Sequence, residues 1–212
     1  MSKLGELKEI LKKLIAIPSV TGNEHDIAIY IADYLRQCGV DSVELQPVEG
    51  NRLNVVAHLK GEKVGPVVLL TGHMDTVAPG EGWRTDPFKA TERDGRIYGR
   101  GAADMKGGIA AILVAIRNAA AQREQMRGEA IIAFVCDEEA YSKGVDALIR
   151  SGIRADYGIA AEPEWDAVIG AVGKMLIKVR VYGIAAHGSQ PEKGINAVEA
   201  VSYTHLTLPT RG

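Results

Sequence analysis

Val67-Val68-Leu69-Leu70-Thr71-Gly72-His73-Met74-Asp75 is the stretch on which the fold turns. An unbroken aliphatic run of this length predicts a strand over 67–71, buried on both faces in the middle of a sheet. Its end is polar. In an extended backbone residues i and i+2 point to the same side, so His73 and Asp75 are delivered together to the rim of that sheet. One ring nitrogen of His73 is then available to a metal while Asp75 accepts the other N–H and sets the tautomer. Read alone, the pair also fits a surface turn whose two side chains cap each other.

The same arrangement recurs downstream. Asp137-Glu138-Glu139 follows the apolar run Ala130–Val135, Glu162-Pro163 follows Tyr157–Ala161, and Asp104 follows the glycine-rich approach Gly99-Arg100-Gly101-Ala102-Ala103. Each has a plain reading: a solvated acidic turn, a loop glutamate, and an N-cap aspartate. Gly107 and Gly108 imply crowding at the Asp104 helix start that a simple cap does not require. Three adjacent carboxylates repel one another, so a positive group is expected beside residues 137–139. Glu138 and Glu139 project differently; one can hold a metal while the other faces water.

Taken together, one imidazole with several carboxylates and no thiolate fits a catalytic divalent pair of the zinc type rather than a structural site. A carboxylate such as Asp104 can bridge two ions about 3.5–4 Å apart. A glutamate beside them can take a proton from an activated water and pass it to a leaving amine. That chemistry is amide hydrolysis.

Working outward, Leu4, Leu7, Ile10, Leu11, Leu14 and Ile15 predict a first helix ended by Pro18, and residues 24–38 predict a second, capped by Thr21 or Asn23 and stopped at Gly39. Strands are predicted at 43–48, 53–59, 96–98, 130–135 and 157–161, helices at 107–122 and 144–151, and a surface loop at 80–91. Strands alternating with helices give an α/β fold: a mixed, mostly parallel sheet flanked by helices. Near Gly173 the pattern changes, and 174–181 alternates as a half-exposed strand, the start of a smaller α+β module. The expected organisation is a catalytic metal-binding domain over 1–172, the beginning of a lid or dimerisation domain over 173–200, and a tail over 201–212.

Bulk properties narrow the function classes. With 25 Lys+Arg against 27 Asp+Glu and no basic patch, nucleic acid is a poor partner. No apolar run approaches the ~18 residues of a membrane span. Cys38 and Cys136 lack CxxC spacing and read as buried hydrophobes in a reducing compartment. A cytoplasmic location is the resulting expectation.

The motifs Gly72-His73-Met74-Asp75-Thr76-Val77, Gly99 to Gly108, Asp137-Glu138-Glu139, Glu162-Pro163 and Ala186-His187-Gly188-Ser189, in this order, resemble the zinc-dependent deacylases and peptidases that include acetylornithine deacetylase, succinyl-diaminopimelate desuccinylase, aminoacylase and the glutamate carboxypeptidases. The resemblance spans roughly residues 5–200. It implies two Zn2+ per complete site, with Co2+ or Mn2+ as alternatives: His73, Asp104 and Glu162 on one ion, Asp104 and Glu139 on the other. It also implies Asp75 orienting His73, Glu138 as general base and acid, a cis peptide at Asp104–Met105, and His187 stabilising an oxyanion, often across a homodimer. Substrates would be N-acyl amino acids or short peptides.

The departure lies at the C-terminus. The family takes a further metal-binding histidine from a returning segment, and His205 in Val201–Thr210 matches no family motif. One codon choice for Val201–Thr210, GTCTCTTATACACATCTGACGCTGCCGACG, resembles a transposon mosaic end and sequencing adaptor read in frame. Native sequence is therefore expected to end near Ala200. The alternative to an active hydrolase is a catalytically incomplete fragment that binds at most one metal firmly, with apolar surface and strand edges exposed.

Overall fold

The computed structural model describes residues 2–163 and 179–207. The chain divides into two units, Met1–Ile169 and Gly170–Gly212, each described by itself.

In the first unit α1 (Lys3–Ile15) opens on Ser2, whose side chain accepts from the Gly5 N–H, and buries Ile10, Leu11, Leu14 and Ile15 on one stripe. α2 (His25–Gln37) buries Ile27, Ala28, Ile31, Ala32 and Leu35, and stops where Gly39 adopts a left-handed φ of 76°. Its N-cap corrects the sequence reading. Neither Thr21 nor Asn23 caps it; Glu24 holds that position without a side-chain cap bond, and the Thr21 hydroxyl donates to Asp75 instead.

Strands β1 (Ser42–Glu49) and β2 (Arg52–Lys60) form an antiparallel ribbon, and β3 (Lys63–His73) follows two residues later. A small ribbon of β4 (Thr91–Arg93) and β5 (Arg96–Tyr98) stands apart. Then come α3 (Gly107–Ala121), β6 (Arg127–Val135), α4 (Lys143–Arg150) and β7 (Tyr157–Ala160). The main sheet has the order β1-β2-β6-β3-β7, so β6 is inserted between two strands that are consecutive in the chain. It runs antiparallel to β2 and parallel to β3, and β3 is parallel to β7. The sheet is thus mixed, as predicted, with its antiparallel part in the β1–β2–β6 ladder.

The crossing that admits β6 is lined by glycines. A Cβ on Gly61 would lie 2.4 Å from the Met126 carbonyl oxygen, one on Gly65 2.7 Å from the Gly128 nitrogen, and one on Gly128 1.9 Å from the Pro66 carbonyl oxygen. Backbones meet here with no room for a side chain.

Successive residues of the central strands serve opposite faces. Val55, Ala57, Leu59, Ala130, Ile132 and Phe134 join the larger core under α1, α2 and α3. Val56, Ile131, Ala133 and Val135 join a smaller one with Leu148 of α4. The second face is thinly covered. This corrects the expectation for Val67–Leu70: all four are half-buried, because among the described residues only the four-residue β7 lies beyond β3 and α4 is short. β7 itself is exposed along its length, including Tyr157 and Ile159.

In the second unit Ile184 pairs with Ile195 in an isolated antiparallel bridge, and α5 (Ala197–Thr207) follows. Most of the strand predicted at 174–181 lies outside the described residues, and 179–181 form none. No helix among the described residues is long and apolar enough to cross a membrane.

Candidate metal centre

Because β6, β3 and β7 are mutually parallel, their C-terminal ends share one rim, where open α/β sheets place ligand sites. His73 is the last residue of β3, residues 137–139 follow β6, and Glu162 follows β7. Asp104 arrives from the tight turn Ala102–Lys106 in front of α3, and the Asp104–Met105 peptide is cis. Two close approaches hold that turn against the rim. The Met105 sulfur accepts the His73 N–H at 3.0 Å, and a Cβ on Gly72 would lie 2.3 Å from the Met105 methyl. A Cβ on Gly108 would lie 2.1 Å from the Ala161 carbonyl oxygen, which accounts for the crowding at this helix start.

The ligand atoms of His73, Asp104 and Glu139 lie within 4.8 Å of one another. The His73 Nδ1 is 2.8 Å from the main-chain oxygen of Asp75 and 3.7 Å from its carboxylate Oδ1. The carbonyl, an acceptor only, assigns the ring proton to Nδ1. The Nε2 lone pair then faces Asp104 Oδ1 at 2.9 Å and Glu162 Oε2 at 3.7 Å. A lone pair confronting two carboxylates is repulsive unless a proton or a cation lies between them. Burial opposes charging the ring, but Glu162, Asp75 and Asp104 outweigh it and hold the imidazole above its ordinary value. Burial and then the Asp104 charge hold the Glu139 carboxyl above the usual carboxylate range. One buried imidazole among hard oxygen acceptors is a donor set that fits a divalent cation.

Beneath the ligands the acceptors are occupied. Asp75 is fully buried; its carboxylate takes the Glu138 N–H at 3.0 Å, the Glu139 N–H at 3.1 Å and the Thr21 hydroxyl at 2.9 Å. It therefore grips the main chain of the 138–139 turn while its carbonyl holds His73. The positive group expected beside residues 137–139 is Arg52, 2.8 Å from Asp137. Lys106 is buried, donates to the carbonyls of Leu14 and Ile17 at 2.9 and 2.8 Å, and is pushed down to about 8 by burial. It ties the Asp104 turn to the end of α1. Cys136, beside this turn, is buried and its thiol is pushed up to about 12 by burial.

Residues 69–203, more than half of the chain, match the family described as peptidase family M20/M25/M40. The chain belongs to this family. It is 36% identical over 219 residues to acetylornithine deacetylase from Proteus mirabilis (strain HI4320), covering 97% of this chain and 55% of that protein. Among solved structures it resembles human carnosine dipeptidase 1 with a TM-score of 0.65 and 25% identity, over 74% of this chain and 38% of that one. It also resembles the aminopeptidase PepT from Bacillus cereus ATCC 10987 with a TM-score of 0.62 and 25% identity, over 99% of this chain and 57% of that one. The chain spans about half the length of the curated relative it matches.

Of the residues that the M20-type motifs single out, the structure brings His73, Asp75, Asp104, Glu139 and Glu162 together, with the Glu138 main chain held in the same turn. His187 lies in the second unit, exposed, with Nδ1 2.8 Å from the Ser189 hydroxyl. Thr21, Glu24 and Arg52 carry no local motif, Lys106 lies within the Gly99 to Gly108 motif without a role of its own, and sequence reading assigns none of the four to the site. The one available signal was the unbalanced charge of residues 137–139, which called for a cation without naming it.

Proposed function

We propose that the whole protein is a metal-dependent amidohydrolase that removes an N-acyl group from an amino acid or cleaves a small peptide, in the manner of the deacetylases and dipeptidases it resembles. The observation that carries this reading is the cluster of His73, Asp104 and Glu139 at the carboxyl ends of parallel strands, with Nδ1 of His73 committed to Asp75 and Nε2 turned towards carboxylates. His73, Asp104 and Glu162 would hold one zinc ion, and Asp104 with Glu139 would contribute to a second.

When bound, such ions would acidify a water and polarise the substrate carbonyl. The remaining work belongs to side chains. Asp75 fixes the imidazole and the 138–139 turn. Glu138 takes a proton from the attacking water, which adds to the amide carbon. It delivers that proton to the nitrogen as the C–N bond breaks, leaving a carboxylic acid and an amine. For His187 the proposed role is oxyanion stabilisation in a homodimer of the whole protein.

The second reading, a fragment that holds at most one metal firmly, is favoured by the chain spanning 55% of its curated relative. Metal content measured alongside hydrolysis of N-acetyl amino acids separates the two. About two zinc ions per chain, with turnover abolished by Glu138→Gln, support the hydrolase. One ion or none, without turnover, supports the fragment.

A further inference from the structure

A buried charge network stands behind the Asp137–Glu139 turn. Glu24 is fully buried, and the side chains of Arg52 and Asp137 are 11% and 2% exposed. Arg52 meets Glu24 through two parallel bonds, Nε to Oε2 at 2.8 Å and Nη2 to Oε1 at 2.5 Å, and turns Nη1 to Asp137 Oδ1 at 2.8 Å. Glu24 also accepts the Gly22 N–H at 2.9 Å, and Asp137 Oδ2 accepts the Lys143 N–H at 3.1 Å. Glu24, first, and Asp137 hold the guanidinium above its ordinary value.

We propose that Arg52, seated on Glu24, is a positioning residue for Glu138 and Glu139 and acts through Asp137. The inference rests on the metal-hydrolase reading above. Asp137 has a φ of 68°, a left-handed conformation that a non-glycine residue holds only when its surroundings impose it. The bonds from Arg52 and from the Lys143 N–H supply that constraint. The next two amides donate to Asp75, so the turn is gripped from behind by Arg52 and from the front by the residue that orients His73. Both grips rest on one short segment, since Thr21 bonds Asp75 and Glu24 bonds Arg52. The planar fork is needed because one cation must serve two carboxylates in different directions, which a lysine point charge cannot do as well. Buried ion networks can often be replaced by apolar groups without loss of stability. The adjacency of this one to Glu138 and Glu139 gives it a second task.

The test titrates the chain with Co2+, whose visible spectrum reports ligand geometry, alongside urea unfolding. The triple variant Glu24→Gln/Arg52→Met/Asp137→Asn removes all three charges and leaves an acceptor for the Lys143 N–H. It is expected to unfold cooperatively, to bind Co2+ about tenfold more weakly, as loss of outer-shell support typically does, and to show an altered spectrum. Arg52→Lys is expected to fall between the two. A folded variant with native Co2+ affinity and spectrum overturns the inference while leaving the metal reading intact. A native chain that binds no Co2+ overturns the metal reading and this inference with it. If neither variant folds, the Arg52 Nε–H resonance of the native chain decides. It should shift when Zn2+ is added, and an unmoved resonance overturns the proposal.

Discussion

Beneath the rim, Asp75 holds two main-chain N–H groups and a hydroxyl, and Asp137 holds a guanidinium and one N–H, all out of solvent. At the rim, Asp104 keeps 53% and Glu162 35% of its side chain exposed, and both point oxygens at His73 Nε2. The floor carboxylates are each met by protein donors, whereas Asp104 and Glu162 both face the single imidazole of His73. The difference teaches where each set of residues spends its free energy. Floor carboxylates stabilise the fold by meeting protein donors. Asp104 and Glu139 lie close enough to repel one another, a repulsion that a cation between them would relieve.

That contrast can be broken at several points. The largest effect is expected on the floor. Arg52→Met leaves Glu24 and Asp137 buried and unpaired, and should cost about 3–5 kcal/mol in urea unfolding. A cost under about 1 kcal/mol, the level of an exposed pair, would remove the distinction between floor and rim. Next, zinc at 100 times its dissociation constant should raise the unfolding free energy by about 2.7 kcal/mol, a gain largely lost in Asp104→Asn. A gain that survives this substitution would place the ion elsewhere. Smaller still, Glu139→Gln in metal-free protein should change stability by no more than about 0.5 kcal/mol, or raise it slightly, because it relieves like-charge repulsion. A loss of several kcal/mol would make Glu139 a floor residue. Finally, Cys136 should resist iodoacetamide at pH 8 in the folded chain and react once urea is added, since burial denies it both access and the thiolate. Rapid native alkylation would show that the floor opens.

Much of this was legible because it is local. Apolar runs mark β2, β3 and β6, and the polar residues that end the latter two are adjacent in sequence to the strands that deliver them. The placement of α1, α2, α3 and α4 follows from period and punctuation alone. What could not be read depends on partners distant in the chain. Glu24 and Arg52 look like a surface helix start and a turn arginine until the sheet brings Asp137 against them. Thr21 looks like a cap because its competing acceptor, Asp75, is unknown before folding. The half-exposure of Val67–Leu70 reflects how little structure covers one face of β3, a property of its neighbours and not of those four side chains.

The insertion of β6 between β2 and β3 sets an order of events for a chain emerging from the ribosome. Strands β2 and β3 are made early and lie two residues apart, yet the strand that fills the space between them ends only at Val135. Until then their facing edges have no partner, and closing the gap brings together residues as distant as Val55 and Phe134. Such non-local pairing slows folding and lengthens the time that strand edges are open to other chains. The glycines at the crossing let the main chains close on one another once β6 is in place, because a Cβ at Gly61, Gly65 or Gly128 would overlap the facing backbone. Synthesis therefore leaves the ligands of the rim as separate loops until its central strand has been made.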